Sequence, residues 1–309
     1  MRTDVHQHLW SEPLLEQLAR RRELPFVRAE RGLVVLYLAG ERPYVIDREW
    51  PASRAAEVQR DGLDRALLCM SSPLGVECLP RRQAEPLLAA YHEGAFAAGE
   101  PFGVWGAISL ERPDPADVDR ALSRGCVGIS LPAGALGGVG ELSRMYGVLE
   151  RLEESGAPLF VHPGPGPLAA AQPARASMAE PLWWPALTRY VSGLQSAWLA
   201  FRALGRRQHP NLRVIFAMLA GLAPLQGERL LARGGPAVTE DPFTFYETSS
   251  YGRDAVAAMR AAVGPGQILY GSDRPVLDPS GERRARPDWD ALGEATDRAL
   301  GAAVAKVAR

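Results

Sequence analysis

Eight short apolar runs recur along this chain of 309 residues, and stretches with a helical pattern separate most of them. Several of the runs, such as residues 212–216, are apolar almost throughout instead of alternating with polar residues. A strand that is buried on both faces has this pattern, which is typical of a parallel sheet covered by helices. The predicted strands are residues 2–5, 65–70, 102–109, 125–131, 158–161, 212–218, 243–249 and 268–271.

The intervening stretches have the spacing and the end signals of helices. Residues 81–98 place apolar side chains three and four positions apart, and residues 115–123 open with Pro and Asp. Residues 142–155 end before Gly156, and glycine is favoured just beyond a helix. Eight strands that alternate with helices favour a closed (β/α)8 TIM barrel over an open sheet, in one domain that spans residues 1–309.

One segment, residues 14–50, does not fit a minimal barrel, because it separates the first two predicted strands. It contains an apolar run at 32–38, a turn signal at 40–43 and a second apolar run at 44–46. This pattern predicts a small β-hairpin insertion after strand one. Since the insertion leaves the carboxyl end of that strand, we expect it to cover the mouth of the barrel at that end.

Charge and cysteine content exclude several classes of protein. The chain has 35 Lys+Arg and 36 Asp+Glu, a net charge of -1, whereas nucleic-acid binding needs clustered positive charge. The three cysteines are too few and too scattered for a disulfide framework, which favours a reducing compartment. Neither a signal-peptide pattern nor an apolar stretch of about 20 residues occurs. We therefore expect a cytoplasmic protein with no nucleic-acid or membrane partner.

Three of the five histidines lie at the ends of predicted strands. His6 and His8 are two positions apart at strand one, so alternation places both on the same face. His162 follows strand five directly, and Asp273 follows strand eight. Active sites of TIM barrels lie at the carboxyl ends of the strands. Three imidazoles and one carboxylate at that end predict a site for one divalent metal ion, with Zn²⁺ as the first choice.

Each part of this pattern has an ordinary structural explanation when it is taken alone. A His-x-His pair is a weak signal for a metal, and an Asp after Gly-Ser commonly caps a turn or a helix. The hypothesis of a shared site therefore depends on all four residues falling at strand ends. The other two histidines, His92 within a helix and His209 before a proline, are expected to be surface or loop residues and not ligands.

Three motifs together resemble those of a known family: Asp-Val-His-Gln-His-Leu-Trp at 4–10, Phe-Val-His-Pro at 160–163 and Tyr-Gly-Ser-Asp at 270–273. The pattern is similar to that of the amidohydrolase superfamily. More narrowly, it resembles the group that includes aminocarboxymuconate-semialdehyde decarboxylase and the resorcylate and methylsalicylate decarboxylases. Further similarity at 50–62 and 209–217 extends the resemblance over nearly the whole chain.

The resemblance implies roles for the residues that match it. His6, His8, His162 and Asp273 would be the metal ligands, and Asp273 would also accept a proton from metal-activated water. The chain departs from the family at strand six, where Met218 stands in the place of a histidine. A thioether carries no proton at neutral pH, so proton transfer would fall to Asp273, another side chain or the substrate. Alternatively, Met218 only packs in the mouth of the barrel.

Residues that contact a substrate are predicted less directly. The resemblance implies that an arginine binds a substrate carboxylate, and Arg48, beside the inserted hairpin, is the candidate. The aromatic stretch around Trp184 has two interpretations: core or the contact of a homodimer, and a flat apolar wall for a planar ring. Arg48, Met218 and Trp184 are therefore the predicted substrate-binding residues.

Three functions stay open from the sequence. The leading hypothesis is hydrolysis of an amide, lactone or related bond in a small, planar, carboxylated molecule by metal-activated water, with Asp273 as the catalytic residue. The first alternative is metal-dependent, non-oxidative decarboxylation of an aromatic or unsaturated carboxylic acid. The second is a binding protein that retains the metal and has lost turnover, because a fold alone does not establish a reaction.

Overall fold

The structure is a computed structural model that describes residues 1–46, 51–167, 180–235, 237–238, 241–278 and 289–301. All eight predicted strands are present, as β1 and β5 to β11. In chain order the strands are β1 (Thr3–Gln7), β2 (Phe26–Glu30), β3 (Leu33–Tyr37), β4 (Tyr44–Ile46), β5 (Arg65–Leu68), β6 (Phe102–Val104), β7 (Ile129–Pro132), β8 (Leu159–His162), β9 (Val214–Phe216), β10 (Thr244–Glu247) and β11 (Ile268–Leu269).

The eight parallel strands follow one another in chain order around a ring. Strands β1, β5 and β6 form one parallel sheet, and β7, β8, β9, β10 and β11 form another. Bridges between Gly106 and Ile129 and between Gln7 and Arg274 join the two sheets at both edges. The fold is therefore the predicted (β/α)8 barrel, and the carboxyl ends of its strands meet at one face.

The insertion after β1 is a three-stranded antiparallel sheet, one strand larger than the predicted hairpin. Strand β3 pairs with both β2 and β4. Strands β3 and β4 correspond to the predicted hairpin. Strand β2 is additional, because its sequence, Phe-Val-Arg-Ala-Glu, has too few apolar residues to predict a strand. Leu36 and Ile46 are buried and anchor the insertion to the rest of the molecule.

Helices lie between the barrel strands, and two of them match the predicted ranges closely. The predicted helix at 142–155 is instead two helices that meet at Met145. No described helix combines the length and the apolar character that crossing a membrane requires. The helices are α1 (Glu12–Arg20), α2 (Pro51–Arg60), α3 (Arg81–Ala97), α4 (Pro115–Ser123), α5 (Val139–Arg144), α6 (Tyr146–Ser155), α7 (Val191–Ala200), α8 (Arg206–Gln208), α9 (Gly227–Ala232), α10 (Arg253–Val263) and α11 (Trp289–Leu300), with π-helical turns at Ala186–Tyr190 and Phe201–Gly205.

Two aromatic side chains form an apolar floor inside the barrel. Trp105 and Phe160 are fully buried, and their rings stack with centroids 5.3 Å apart. The indole Nε1–H of Trp105 donates to the carbonyl of Val5 across 3.0 Å, which leaves no buried polar atom of the indole unpaired. The ring of Phe160 lies 5.2 Å from that of His6. The floor therefore lies directly beneath His6.

Candidate metal centre

The structure brings His6, His8, His162 and Asp273 together at the carboxyl end of the barrel. The Nε2 atoms of His6 and His8 are 3.2 Å apart. Asp273 Oδ1 lies 3.4 Å from Nε2 of His6 and 3.1 Å from Nε2 of His8. The ring centroid of His162 lies 4.8 Å and 5.0 Å from those of His6 and His8. All three imidazoles are buried.

The backbone holds Asp273 in position over the imidazoles. Its φ of 61° places it in the left-handed region, which side chains other than glycine adopt at a cost in free energy. The backbone N–H of Asp273 donates to the carbonyl of His6 across 2.9 Å. This bond links the segment after β11 to β1, so the last and the first strands of the barrel meet at the site.

Each imidazole donates its Nδ1–H to an acceptor in the protein and so directs Nε2 into the site. The Nδ1 atom of His6 lies 3.0 Å from Glu247 Oε1, that of His8 2.9 Å from the carbonyl of Cys69, and that of His162 2.7 Å from the carbonyl of Pro163. Partners of this kind fix the tautomer of a metal-ligating histidine. In a neutral imidazole with Nδ1 protonated, Nε2 carries a lone pair that can bind a cation.

The donor set fits a divalent metal ion. Four donors about 2.0 Å from a tetrahedral zinc ion are about 3.3 Å from one another. The three distances that join His6, His8 and Asp273 are 3.2, 3.4 and 3.1 Å, which agree with that spacing. Buried imidazole lone pairs this close to a partly buried carboxylate need a positive charge between them. A divalent metal supplies this charge.

The electrostatics of the histidines agree with a site that attracts positive charge. Burial lowers the pKa of His6, but the negative charges of Glu247, Cys69 and Asp273 raise it well above its ordinary value. Burial also lowers the pKa of His8, yet Cys69 and Asp273 raise it to about 10. Burial and the positive charges of His6 and His8 lower the pKa of His162 well below its ordinary value.

Cys69 is a further potential donor, and the sequence reasoning does not identify it. It follows β5 directly, is 1% exposed, and forms a cluster with the three histidines whose donor atoms all lie within 4.8 Å of one another. Its Sγ lies 3.5 Å from Nδ1 of His8. Burial raises the pKa of the Cys69 thiol, but the positive charges of His8 and His6 outweigh this effect and lower it. A cysteine near the carboxyl end of the predicted buried strand 65–70 is the signal that could have found it.

Glu247 is a second residue that the sequence reasoning does not identify. Its side chain ends β10, is fully buried, and accepts hydrogen bonds from Nδ1 of His6, from the backbone N–H of Met218 at 2.6 Å, and from Ser249. A Cβ atom at Gly271 would overlap this carboxylate, so a glycine is required there. A charged residue at the carboxyl end of a predicted inner strand is the signal that could have found Glu247.

Met218 lies in the wall of the site, beyond the end of β9. Its side chain is 6% exposed and faces the cavity over the metal centre. The backbone from Met218 to Leu222 is left-handed, with φ between 50° and 64°. Four of these five residues are not glycine, so this conformation costs free energy. The bond from the Met218 N–H to Glu247 and the bond from Gln195 to the carbonyl of Gly221 hold it in place.

A cavity of about 220 Å³ opens above the donor set. An apolar cavity of about 150 Å³ can hold benzene, so this one accommodates a molecule of about one ring. Residues of β3 and of the loop before β4 line it, so the insertion covers the mouth of the barrel as the sequence suggests. The apolar part of the wall consists of Trp10, Leu36, Leu38, Pro73, Pro163, Pro181, Leu182, Pro185, Met218 and Val276.

Arg42 is the arginine that the described part of the chain contributes to the wall of this cavity. It lies in the loop between β3 and β4, and its guanidinium forms no ion pair with a described residue. The predicted residue, Arg48, lies outside the described residues. Arg42 belongs to the same insertion as Arg48, and the sequence reasoning does not identify it.

Trp184 does not line the cavity, contrary to the sequence interpretation. Its side chain is 40% exposed and packs against Trp183, with ring centroids 5.7 Å apart. Residues 181, 182 and 185 line the cavity instead. Leu182 and Pro185 are three positions apart and share a side of this segment that Trp184 does not share. The number of aromatic residues in the segment therefore does not indicate which of them faces the site.

The two remaining histidines are buried, where the sequence suggests surface or loop positions. His92 is 7% exposed on α3, and its Nε2 accepts a hydrogen bond from the backbone N–H of Ala107 at 3.2 Å. His209 is 1% exposed and packs beside Tyr146, with ring centroids 5.2 Å apart. Neither belongs to the metal-binding cluster, so the expectation that they are not ligands agrees with their positions.

Comparison with known proteins gives similarity in structure alone. No family model matches this sequence, and no curated protein matches it. IDCase from Metarhizium anisopliae in its apo form is 15% identical, covers 99% of this chain and 96% of its own, and has a TM-score of 0.74. An amidohydrolase II structure is 16% identical, covers 99% of both chains, and has a TM-score of 0.71. At the level of fold, these structures confirm the resemblance seen in the motifs.

A third similar structure contains a metal and an aromatic acid. A mutant 5-carboxyvanillate decarboxylase from Novosphingobium aromaticivorans binds manganese and 3-methoxy-4-hydroxy-5-nitrobenzoic acid. It is 14% identical to this chain, covers 97% of this chain and 94% of its own, and has a TM-score of 0.65. Further matches include other decarboxylases and one hydratase.

Proposed function

We propose that this chain is a metal-dependent decarboxylase of the amidohydrolase superfamily that acts on a small, planar aromatic or unsaturated carboxylic acid. The observation that carries the proposal is the convergence of three imidazole Nε2 atoms and one carboxylate beneath a cavity of single-ring size. Decarboxylation takes precedence over the hydrolysis expected from the motifs, because solved structures of this fold include several decarboxylases and one hydratase.

His6, His8, His162 and Asp273 would hold the metal ion. When bound, a divalent ion supplies Lewis acidity, which draws electron density from the oxygen atoms of a substrate. The Nδ1 partners of the three histidines keep their Nε2 atoms directed at the ion, and Glu247 does so for His6. Asp273 is the proposed catalytic residue as well as a ligand, because its carboxylate is the acidic group of this set.

Arg42 and the apolar wall would bind and orient the acid. A guanidinium binds a carboxylate through two parallel hydrogen bonds, which fixes the plane of the acid as well as its position. The apolar wall removes the acid from water, which is unfavourable for a carboxylate. Carbon dioxide is neutral and does not have this cost. Met218 would contact the ring in place of a proton-carrying side chain.

Zinc is the proposed metal. Nitrogen donors outnumber carboxylate donors in this set, and a thiol lies beside them; zinc binds nitrogen and sulfur readily. Manganese prefers oxygen donors. The manganese-bound decarboxylase shares only the fold with this chain, so its metal does not decide the question.

Hydrolysis, the leading hypothesis from the motifs, stays as the second candidate. In that case Asp273 would take a proton from the attacking water, and an ester or lactone would occupy the cavity. A binding protein would keep the metal and the cavity without turnover.

The test is release of carbon dioxide by zinc-loaded protein from a panel of planar acids that includes 2,6-dihydroxybenzoate and 5-carboxyvanillate. We expect carbon dioxide from at least one acid, and we expect Arg42→Ala to raise KM for it because the carboxylate loses its partner. Glu228→Gln, an exposed change on α9, is the control. Hydrolysis of activated lactones without carbon dioxide from any acid would favour the second candidate. Metal binding with neither activity would favour the binding protein.

A further inference from the structure

Tyr190 and Glu41 form a hydrogen-bonded pair in the wall of the metal cavity. The hydroxyl of Tyr190 donates to Oε1 of Glu41 across 2.5 Å. A hydrogen bond to an ionised acceptor is short and strong, and 2.5 Å is at the short end of the range for an O–H donor. Tyr190 ends the π-helical turn before α7, and turns of this type are frequent at functional sites.

A second contact, made by Arg189, shows that the π-helical turn and the insertion meet at this pair. The guanidinium of Arg189 donates to the carbonyl of Gly40 across 2.7 Å, so two adjacent residues of the helix contact two adjacent residues of the insertion. One interpretation is that these bonds only hold the insertion over the cavity. Any pair of polar side chains could do this, so that interpretation does not explain why two acidic side chains line the cavity.

The site lacks a proton carrier at the end of β9, where Met218 lies. A decarboxylation must deliver one proton to the carbon that loses carbon dioxide. Apart from the proposed metal ligands, Tyr190 and Glu41 are the two acidic side chains among the described residues of the wall that are hydrogen-bonded to each other. Tyr190 and Glu41 line the same cavity as Asp273 and the histidines, so a substrate held over the metal centre would lie beside this pair.

We propose that Tyr190 and Glu41 are the proton-donating pair of the reaction, a role that rests on the decarboxylation proposed above. With Glu41 protonated, the bond between substrate carbon and carboxylate breaks, and its electron pair stays on the carbon. The Tyr190 hydroxyl donates its proton to that carbon, and the phenol oxygen takes the proton of Glu41. Carbon dioxide leaves, Glu41 becomes ionised and accepts from Tyr190 as the structure shows, and water then restores its proton.

The surroundings of the pair set the direction of its pH dependence. Burial raises the pKa of Glu41, and the Tyr190 hydroxyl and Arg189 offset this only in part. Burial and the charge of Glu41 raise the pKa of Tyr190 well above its ordinary value, Asp273 adds to this, and Arg189 opposes it. Tyr190 therefore stays protonated, while Glu41 loses its proton as pH rises. Three further groups face the same cavity, Arg42, Tyr44 and Glu180.

The test compares the pH profile of kcat in wild type, Glu41→Gln and Tyr190→Phe, each loaded with zinc. Wild-type kcat should fall as pH rises through the pKa of Glu41. Glu41→Gln keeps an oxygen that accepts from Tyr190 but has no acidic proton, so it should lower kcat by about 10²-fold or more and remove that pH dependence. Tyr190→Phe should lower kcat similarly, with KM for the acid changed much less.

The controls separate this role from a purely structural one. Tyr146 and Glu150 form an exposed tyrosine–glutamate pair on α6, so Tyr146→Phe and Glu150→Gln should behave like wild type. Glu41→Gln with the wild-type kcat and pH profile would overturn the proposal and leave the pair as a structural contact. Metal content and thermal unfolding of each variant show whether it folds. Wild type that releases no carbon dioxide from any acid would overturn this proposal together with the proposed function.

Discussion

His6 and Glu247 are joined by a hydrogen bond of 3.0 Å between Nδ1 and Oε1, and both side chains are almost completely buried. The same Oε1 accepts the backbone N–H of Met218, so one carboxylate holds a proposed metal ligand and the left-handed turn after β9. Through Glu247, the end of β10 fixes the orientation of a ligand on β1. The position of the proposed metal ion therefore depends on a residue that does not contact it.

Removing this carboxylate should weaken metal binding. We expect Glu247→Gln to lower the affinity for zinc by about 10-fold and Glu247→Ala by about 100-fold, because partners of ligating histidines contribute about that much. The measurement is competition for zinc against a chelator of known affinity. Glu228→Gln, an exposed change, should have the wild-type affinity. Unchanged zinc affinity in folded Glu247→Ala would show that His6 is not held for a metal.

Cys69 should affect which metal the site prefers. A thiol is a soft donor, so replacing it with a hydroxyl in Cys69→Ser should lower the affinity for zinc relative to manganese. The measurement is the ratio of zinc to manganese bound from an equimolar mixture. Cys126 is also buried but precedes β7 at the opposite end of the barrel, so Cys126→Ser is the matched control. The same ratio in wild type and both variants would exclude Cys69 from the centre.

Met218→His should change the rates of hydrolysis and decarboxylation in opposite directions, depending on whether the chain has lost a proton carrier or is specialised around Met218. In a chain that has lost a proton carrier, the imidazole should raise hydrolysis of activated esters or lactones, since such groups contribute about 10²–10⁴-fold. In an enzyme that is specialised around Met218, the polar ring should crowd an apolar substrate and lower decarboxylation. Kinetics with both substrate types distinguish these outcomes. Wild-type rates and metal content would place Met218 outside the working site, despite its position in the cavity wall.

Glu77 should make stability depend on pH independently of the metal. Its carboxyl is fully buried, one oxygen has no hydrogen-bond partner, and burial raises its pKa from 4.5 to about 7. A raised carboxyl pKa contributes stability that is fully present below 4.5 and is lost as pH rises through about 7. Metal-free wild type should therefore lose about 3 kcal/mol relative to Glu77→Gln between pH 4.5 and pH 8.

The measurement for Glu77 is the free energy of unfolding in urea at both pH values. Glu93→Gln, at an exposed position on α3, should lose the same stability as wild type. Parallel pH dependence in wild type and Glu77→Gln would mean that this carboxyl does not titrate as its burial requires.

The barrel and the four proposed metal ligands could be predicted because local patterns encode them. Continuous apolar runs identify strands that are buried on both faces, and alternation places His6 and His8 on one face. The position of Asp273 just after the last strand brings it to the same end of the barrel. These features depend on residues that are adjacent or periodic in the sequence.

The missed residues depend on contacts between distant segments. Glu247 reaches His6 across 241 positions, and Tyr190 reaches Glu41 across 149. No local pattern indicates that such residues meet. His92 is different, because its spacing of four from Leu88 and three from Ala95 already indicates the buried face of α3. Trp184 shows the opposite error, since an aromatic residue near a site need not face it.

The most direct test of the central claim is the metal content of purified wild type beside the double variant His6→Ala with His8→Ala. We expect about one divalent ion per chain in wild type and none in the double variant, because two of the four donors are lost. His92→Gln, which alters a buried histidine outside the cluster, should bind metal like wild type, and His162→Asn should bind it more weakly. Full metal occupancy in the folded double variant would contradict the assignment of this site.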